Sequence, residues 1–146
     1  MRRVLLWSLA VVITLMAATW ATLTLHDRAT FGSKLDETHL TATLHQGDRY
    51  SIGVRDRGAS VGDHWTAATD PPGALDSIEQ RNVPRNWRAR LFGRDSDLAG
   101  GGDGTTYFVY EARRPGVATV TLDNCFQGCD WPSPETRSVT WQITVR

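Results

Sequence analysis

The residues Ser138–Val145, Ser-Val-Thr-Trp-Gln-Ile-Thr-Val, alternate strictly between polar and apolar side chains. Successive side chains of a β-strand point to opposite faces of a sheet, so this stretch predicts a strand with one face on a core and the other in water. Trp141 belongs to the apolar set and is therefore predicted to be a core residue. This segment favours an all-β domain.

The same period of two recurs earlier in the chain, at Leu40–Leu44, Tyr50–Val54 and Ala118–Leu122. Thr105–Ala112 is more continuously apolar, which predicts a central strand. Leu75–Gln80 fits either a short helical turn or an edge strand. Turn residues separate these runs, and no stretch has a convincing helical stripe. About seven short strands predict an Ig-like antiparallel β-sandwich.

A different pattern occupies the N-terminus, where no residue from Val4 to Leu25 is charged. As a helix this run is about 33 Å long, against about 30 Å for the hydrocarbon core of a bilayer. Arg2 and Arg3 precede it, so the positive-inside rule leaves the N-terminus in the cytoplasm and exports the rest. Residues 1–25 are thus predicted to be a transmembrane signal anchor or, alternatively, a cleaved signal peptide.

The remainder then divides into a polar tether, residues 26–37, and the sandwich domain, residues 38–146. The predicted location is the cell membrane, single-pass with the C-terminal domain extracytoplasmic, or secreted if the signal is cleaved. The 16 basic and 16 acidic residues of the chain balance, and without Arg2 and Arg3 the count is 14 against 16. A nucleic-acid binder normally has a strong basic excess, so no nucleic-acid partner is expected.

Two cysteines, Cys125 and Cys129, form an even pair in a compartment that permits disulfides, and we predict that they are bonded. Zinc would need further ligands at suitable spacing. His39 and His45 lie about 20 Å apart along one predicted strand, too far to share a metal. A partial calcium-like pattern beginning at Asp95 lacks the required carboxylate at its twelfth position. No metal or other cofactor is therefore expected.

The residues Gly58–Gly62 match the Gly-x-Ser-x-Gly pattern of a hydrolase nucleophile, and Asp63 and His64 follow directly. That motif requires a strand, a sharp turn and a helix within a large parallel sheet. This chain is short and rich in predicted strands, so a loop is the better interpretation and no enzyme activity is expected. Trp65 is predicted to be core. Trp131, beside the cysteines, is either a contact residue or a cover for the end of the domain.

Three stretches resemble the chagasin-type inhibitors of papain-like cysteine proteases. Gly47–Ile52, followed by the loop up to Trp65, is similar to the family's Gly-Glu-x-x-x-Ile strand and its Asn-Pro-Thr-Thr-Gly-x-x-Trp loop. Gly101–Phe108 resembles the family's Gly-x-Gly-Gly-Thr-x-x-Phe segment, and Arg114–Leu122 resembles the strand that leads to its last inhibitory loop. The similarity spans most of residues 38–146.

The resemblance implies an eight-stranded Ig-like sandwich whose three loops at one end block the active-site cleft of a protease. It implies the following contact residues: Ser60, Val61, Gly62, Gly101, Gly102, Asp103, Gly104, Phe126 and Trp131. This chain departs from the family at Gly58–Val61, which replaces Asn-Pro-Thr-Thr, and at Asp103, which replaces a glycine. The final loop lacks the family's Arg-Pro-Trp, and we hypothesise that a disulfide replaces the stiffening effect of the proline.

The expected function is therefore inhibition of a papain-like cysteine protease, with the membrane contacted through the N-terminal helix. The alternative is a non-inhibitory Ig-like cell-surface module that binds another protein. One geometric test separates them: the loops at residues 57–64, 99–105 and 123–133 should meet at one end of the sandwich if the chain is an inhibitor.

Overall fold

The structure is a computed structural model that describes residues 2–58, 61–85, 104–127, 133 and 136–146, with side chains from residue 12 onward. One helix precedes eight strands in these ranges. The elements are α1 (Arg2–Phe31), β1 (Ser33–Leu35), β2 (Thr41–Leu44), β3 (Arg49–Asp56), β4 (Asp63–Asp70), β5 (Leu75–Pro84), β6 (Gly104–Ala112), β7 (Gly116–Phe126) and β8 (Arg137–Val145).

The strands form two four-stranded sheets that pack face to face. Sheet 1 has the order β1-β3-β6-β5, and sheet 2 has the order β2-β8-β7-β4. The alternating apolar side chains of both sheets fill the space between them, as predicted. This core includes Tyr50 and Tyr110 from sheet 1, and Trp65, Leu122 and Trp141 from sheet 2. The two-layer β architecture and the core positions of both tryptophans are confirmed.

Two strand pairings differ from an all-antiparallel sandwich. β1 runs parallel to β3, and β2 runs parallel to β8, while the other four pairings are antiparallel. A period of two shows which face a side chain occupies but not the direction of the neighbouring strand. The connection from β1 to β2 passes from sheet 1 to sheet 2. β1 is an edge strand of sheet 1, and β2 is an edge strand of sheet 2.

Leu75–Gln80 was predicted to be either a short helical turn or an edge strand, and the structure shows the strand. This stretch lies in β5, an edge strand of sheet 1, beside the central strand β6. β6 has buried positions on both faces, as the continuous apolar run of Thr105–Ala112 predicts.

Tyr50 and Tyr110 stack with ring centroids 5.4 Å apart. Burial raises the pKa of Tyr110 to about 12 and also raises the pKa of Tyr50, so both hydroxyls stay protonated near neutral pH.

Residues 26–37, predicted to be a polar tether, include the end of α1 and the whole of β1. Helix α1 continues to Phe31, and β1 then pairs with the first half of β3. Polarity alone suggested a tether, but the side chain of Phe31 is buried against Tyr107, with ring centroids 4.7 Å apart. Over the part of the chain that the structure describes, no helix is both long enough and apolar enough to cross a membrane.

Candidate functional site

Three connections leave the sandwich at the same end, which we call the loop end. In sheet 1, Gly104 at the start of β6 lies between two strand ends. It is paired on one side with Asp56, the last residue of β3, and on the other side with Pro84, the last residue of β5. In sheet 2, Asp63 at the start of β4 is paired with Phe126 at the end of β7. The segments at 57–62, 85–103 and 127–136 therefore all begin and end here, as the inhibitor hypothesis requires.

A polar cluster joins the three strands of sheet 1 at the loop end. The Thr106 hydroxyl donates to Asp56 Oδ2 over 2.6 Å, and the Asn82 amide donates to the same oxygen over 2.9 Å. The other oxygen of Asp56 accepts the backbone N–H of Gly58 at 2.7 Å. One carboxylate thus connects β3, β5 and β6 and also orients the first residues of the 57–62 loop.

A second carboxylate, that of Asp63, holds the same loop from the side of sheet 2. Its side chain is only 2% exposed. Oδ2 accepts the backbone N–H of Arg57 at 2.8 Å, and Oδ1 accepts the Asn124 amide at 2.8 Å. The Arg57 guanidinium lies 3.6 Å from Asp63. Because a buried charge is tolerated only when it is paired and hydrogen-bonded, these contacts explain an otherwise costly position.

Replacing Asp63 with alanine is expected to destabilise the fold by about 2–3 kcal/mol, because the buried Asn124 amide and the part-buried Arg57 N–H each lose an acceptor. Asp76→Ala is the matched control, since Asp76 pairs with Arg113 at a half-exposed site and should contribute under about 1 kcal/mol. Urea unfolding followed by far-UV circular dichroism measures both. Equal losses in the two variants would contradict the role given to Asp63.

A cavity of about 280 Å³ opens at the loop end between the sheets. Two of its lining residues are arginines whose guanidinium groups make cation–π contacts with aromatic rings. Arg57 lies 3.8 Å from the centroid of Phe126, and Arg137 lies 5.3 Å from the Trp65 ring. Arg137 also donates to both oxygens of Glu37, at 2.6 and 2.8 Å. Such stacking and bidentate pairing restrain long side chains, so the base of the loops has well-defined positions.

Four of the proposed contact residues lie within the described part of the chain, and they differ in accessibility. Val61, in the segment between β3 and β4, is 44% exposed. Gly62 follows it and accepts the Gln127 N–H through its carbonyl at 3.0 Å, so two of the loops touch. Phe126 is half-buried beneath Arg57, and Gly104 is buried between its neighbouring strands. The other five contact residues, Ser60, Gly101, Gly102, Asp103 and Trp131, lie outside the described residues.

The cysteines and the hydrolase-like motif occupy the same end. Cys125 lies in β7, and no described cysteine is a free thiol; Cys129 lies outside the described residues, so its pairing with Cys125 stays a prediction. Asp63 and His64 are adjacent in β4, with Asp63 buried and His64 exposed. The Gly-x-Ser-x-Gly stretch leads into a strand and not into a helix, as the loop interpretation requires.

His39 and His45, which flank β2 and do not belong to it, are exposed, with His39 beside Asp36 and His45 beside Asp48. Within the described residues there is no group of three side chains suited to a metal. Sequence reasoning missed the residues that organise the loop end: Asp56, Arg57, Asn82, Thr106, Asn124 and Arg137. The sole signal for them was their place at predicted strand ends, which does not identify their partners.

Comparison with known proteins supports the fold. No family model and no curated protein sequence matches the chain. Among solved structures, a crystal structure of the cysteine protease inhibitor EhICP2 from Entamoeba histolytica superposes with a TM-score of 0.58 at 18% identity. The superposition covers 78% of this chain and 95% of that one. The solution structure of amebosin gives a TM-score of 0.56 at 15% identity and covers 78% and 97% of the two chains.

At these identities the likeness concerns the fold. The resemblance to the chagasin-type inhibitors that the sequence motifs suggested is confirmed at that level.

Proposed function

We propose that this chain inhibits papain-like cysteine proteases by placing the three segments of its loop end in the active-site cleft. The convergence of the three segments at one end of the sandwich is the observation that carries the proposal. Its support is the fold shared with a cysteine protease inhibitor, EhICP2.

Hydrogen bonds hold the ends of the loops in place, and such order favours a role of the loop end in binding. The Asp56 and Asp63 carboxylates hold the 57–62 loop from the two sheets, and the Gly62 carbonyl joins it to residue 127. A binding surface that is ordered before association loses less conformational entropy on binding. Such a surface also resists the extended conformation that a protease needs in order to cleave a chain.

A non-inhibitory protein-binding module remains the second candidate, and the sequence of the first loop favours it. Gly58–Val61 replaces the Asn-Pro-Thr-Thr of the chagasin-type family, and the described aromatic residue of the last loop, Phe126, has Arg57 over its ring. In that case the loop end would bind a protein that is not a papain-like protease.

The proposal includes an extracytoplasmic location, with the N-terminal segment acting as a signal anchor. Its support is the uncharged run Val4–Leu25 after Arg2 and Arg3, together with seven exposed apolar side chains on α1. We also propose that Cys125 and Cys129 pair in that compartment and restrain the last loop. Mass spectrometry of the peptide containing both cysteines, with and without reductant, checks the pairing.

The full chain in neutral detergent should inhibit a papain-like protease at micromolar concentration or below. Val61→Arg and Ser60→Arg each introduce a bulky cation into the predicted contact segment, and we expect each to weaken inhibition at least about tenfold, or about 1.4 kcal/mol. His39→Ala is the control, since His39 lies outside the loop end and is largely exposed. Progress curves of fluorogenic substrate cleavage measure inhibition.

If the unaltered chain leaves the protease fully active at micromolar concentration, the inhibitor proposal fails and the binding module is favoured. If inhibition occurs but His39→Ala weakens it as much as Val61→Arg does, the loop end is not the contact surface.

A further inference from the structure

A second cavity, of about 580 Å³, lies between α1 and β5, an edge strand of sheet 1. Its lining has both apolar and positively charged side chains. Trp20, Leu23 and Phe31 supply apolar surface from the helix, while Arg28 of the helix and Arg81 of β5 supply two guanidinium groups. A cavity with an apolar side and a cationic side fits an amphiphile that carries an anionic head.

The charge at the cavity is positive. Among the lining residues that the structure describes, the one carboxylate is that of Asp27, and Lys34 Nζ lies 2.7 Å from both of its oxygens. Lys34 therefore neutralises Asp27. The guanidinium of Arg81 lies 5.9 Å from the Phe31 ring and 3.3 Å from Glu79 on its own strand. Glu79 pairs with Arg81 just as Lys34 pairs with Asp27, so the three cations and two carboxylates around the cavity, Arg28 included, leave one net positive charge to attract an anion.

The walls of the cavity are held in place by the junction between α1 and sheet 1. Gly32 ends the helix with a φ of 61°, and a Cβ at this position would lie 1.8 Å from the carbonyl oxygen of Arg49. Arg49 Nη1 donates to the Ala29 carbonyl over 2.8 Å. The Phe31 side chain is buried on Tyr107. The angle between the helix end and the sheet is thus set by close packing.

The apolar side of the cavity continues along the helix. Among the side chains of α1 that the structure describes, from residue 12 onward, seven apolar ones are each more than half exposed: Val12, Ile13, Leu15, Met16, Trp20, Leu23 and Leu25. An exposed apolar surface of this extent marks an interaction site, and a row of aliphatic side chains is a surface on which acyl chains pack. Trp20 belongs to this exposed surface and lines the cavity together with the two arginines, and tryptophan is enriched at membrane interfaces.

We propose that this cavity binds the headgroup of an anionic phospholipid. The lipid phosphate lies between Arg28 and Arg81, and its acyl chains lie along Trp20 and Leu23 toward the N-terminus of α1. Phosphate attracts guanidinium groups through charge-assisted hydrogen bonds, and the apolar helix surface accounts for the preference for a lipid over a free phosphate. This function is separate from the loop end and does not depend on protease inhibition.

The experiment uses the full chain purified in neutral detergent and mixed with phosphatidylglycerol or phosphatidylcholine. Native mass spectrometry counts the bound lipids. We expect one phosphatidylglycerol to bind in preference to phosphatidylcholine, and Arg81→Gln and Arg28→Gln each to reduce that preference roughly fivefold. Arg55→Gln is the matched control, because it removes the same charge from a residue at the loop end. Far-UV circular dichroism verifies that each variant is folded.

Equal binding of the two lipids would overturn the proposal, and so would an Arg81→Gln variant that keeps the full preference of the unaltered chain. Glycerol phosphate, which lacks acyl chains, tests the source of the phosphate. If it displaces the lipid at equal concentration, the cavity is a site for small phosphates and the phospholipid assignment is wrong. Failure of this experiment leaves the protease titration unaffected, so the two proposals are tested independently.

Discussion

Replacing Trp141 with alanine is expected to destabilise the domain by about 3–5 kcal/mol, the largest loss from any single substitution considered for this protein. Trp141 is fully buried in β8, a central strand of sheet 2, and packs in the core between the sheets. Its indole N–H also donates to the Asp36 carbonyl over 3.0 Å. The substitution therefore creates a cavity and removes the link between sheet 2 and the chain that follows β1.

Trp141→Phe separates these two contributions, because phenylalanine keeps most of the ring volume but has no N–H. We expect it to cost roughly half as much as the alanine variant. Urea unfolding followed by far-UV circular dichroism measures both. A loss below about 1 kcal/mol for Trp141→Ala would mean that the core does not depend on this side chain.

Replacing Gly62 with alanine is expected to cost about 2–3 kcal/mol and to weaken protease inhibition at least about tenfold. Gly62 has a φ of 73°, and a Cβ there would lie 2.9 Å from the Gln127 Cα. Gln127 itself has a φ of 59°, so its backbone has little freedom to move aside. The new methyl group pushes apart the two loops that meet through the Gly62 carbonyl.

Gly47→Ala is the matched control for this prediction. Gly47 also has a positive φ, 88°, but no atom lies within 4 Å of its Cβ position, and it lies between β2 and β3 at the end opposite the loops. We expect it to cost about 1 kcal/mol from backbone strain alone and to leave inhibition unchanged. Equal losses of stability in the two variants would show that the contact between the loops contributes nothing.

Much of the fold could be predicted from the sequence because alternation acts locally. The period of two in Ser138–Val145 and in Ala118–Leu122 identified which side chains of β8 and β7 are buried, and Trp65 and Trp141 were assigned to the core correctly. The parallel pairings of β1 and β2 could not be predicted, since the alternation of one strand carries no information about its neighbour's direction.

The candidate site was predictable only in outline. The family resemblance located the loops, and Val61 is exposed as a contact residue must be. Gly104, in contrast, is enclosed by β5, with the Val83 carbonyl 2.9 Å from its Cβ position, so it supports the strand and is not a surface residue. The partners of Asp63 are six and sixty-one residues away from it along the chain, a distance that no local pattern spans.

The sequence by itself determined the division into an uncharged N-terminal run and a β-sandwich, because hydrophobicity and its period are properties of neighbouring residues. Only the tertiary structure decided that three connections leave one end of the sandwich and that α1 packs through Phe31 on sheet 1. It also decided that Arg28 and Arg81 face one cavity, although 53 positions separate them in the numbering. Such groups come together only when strand order brings distant segments into contact, and the free energy of that contact is absent until the chain has folded.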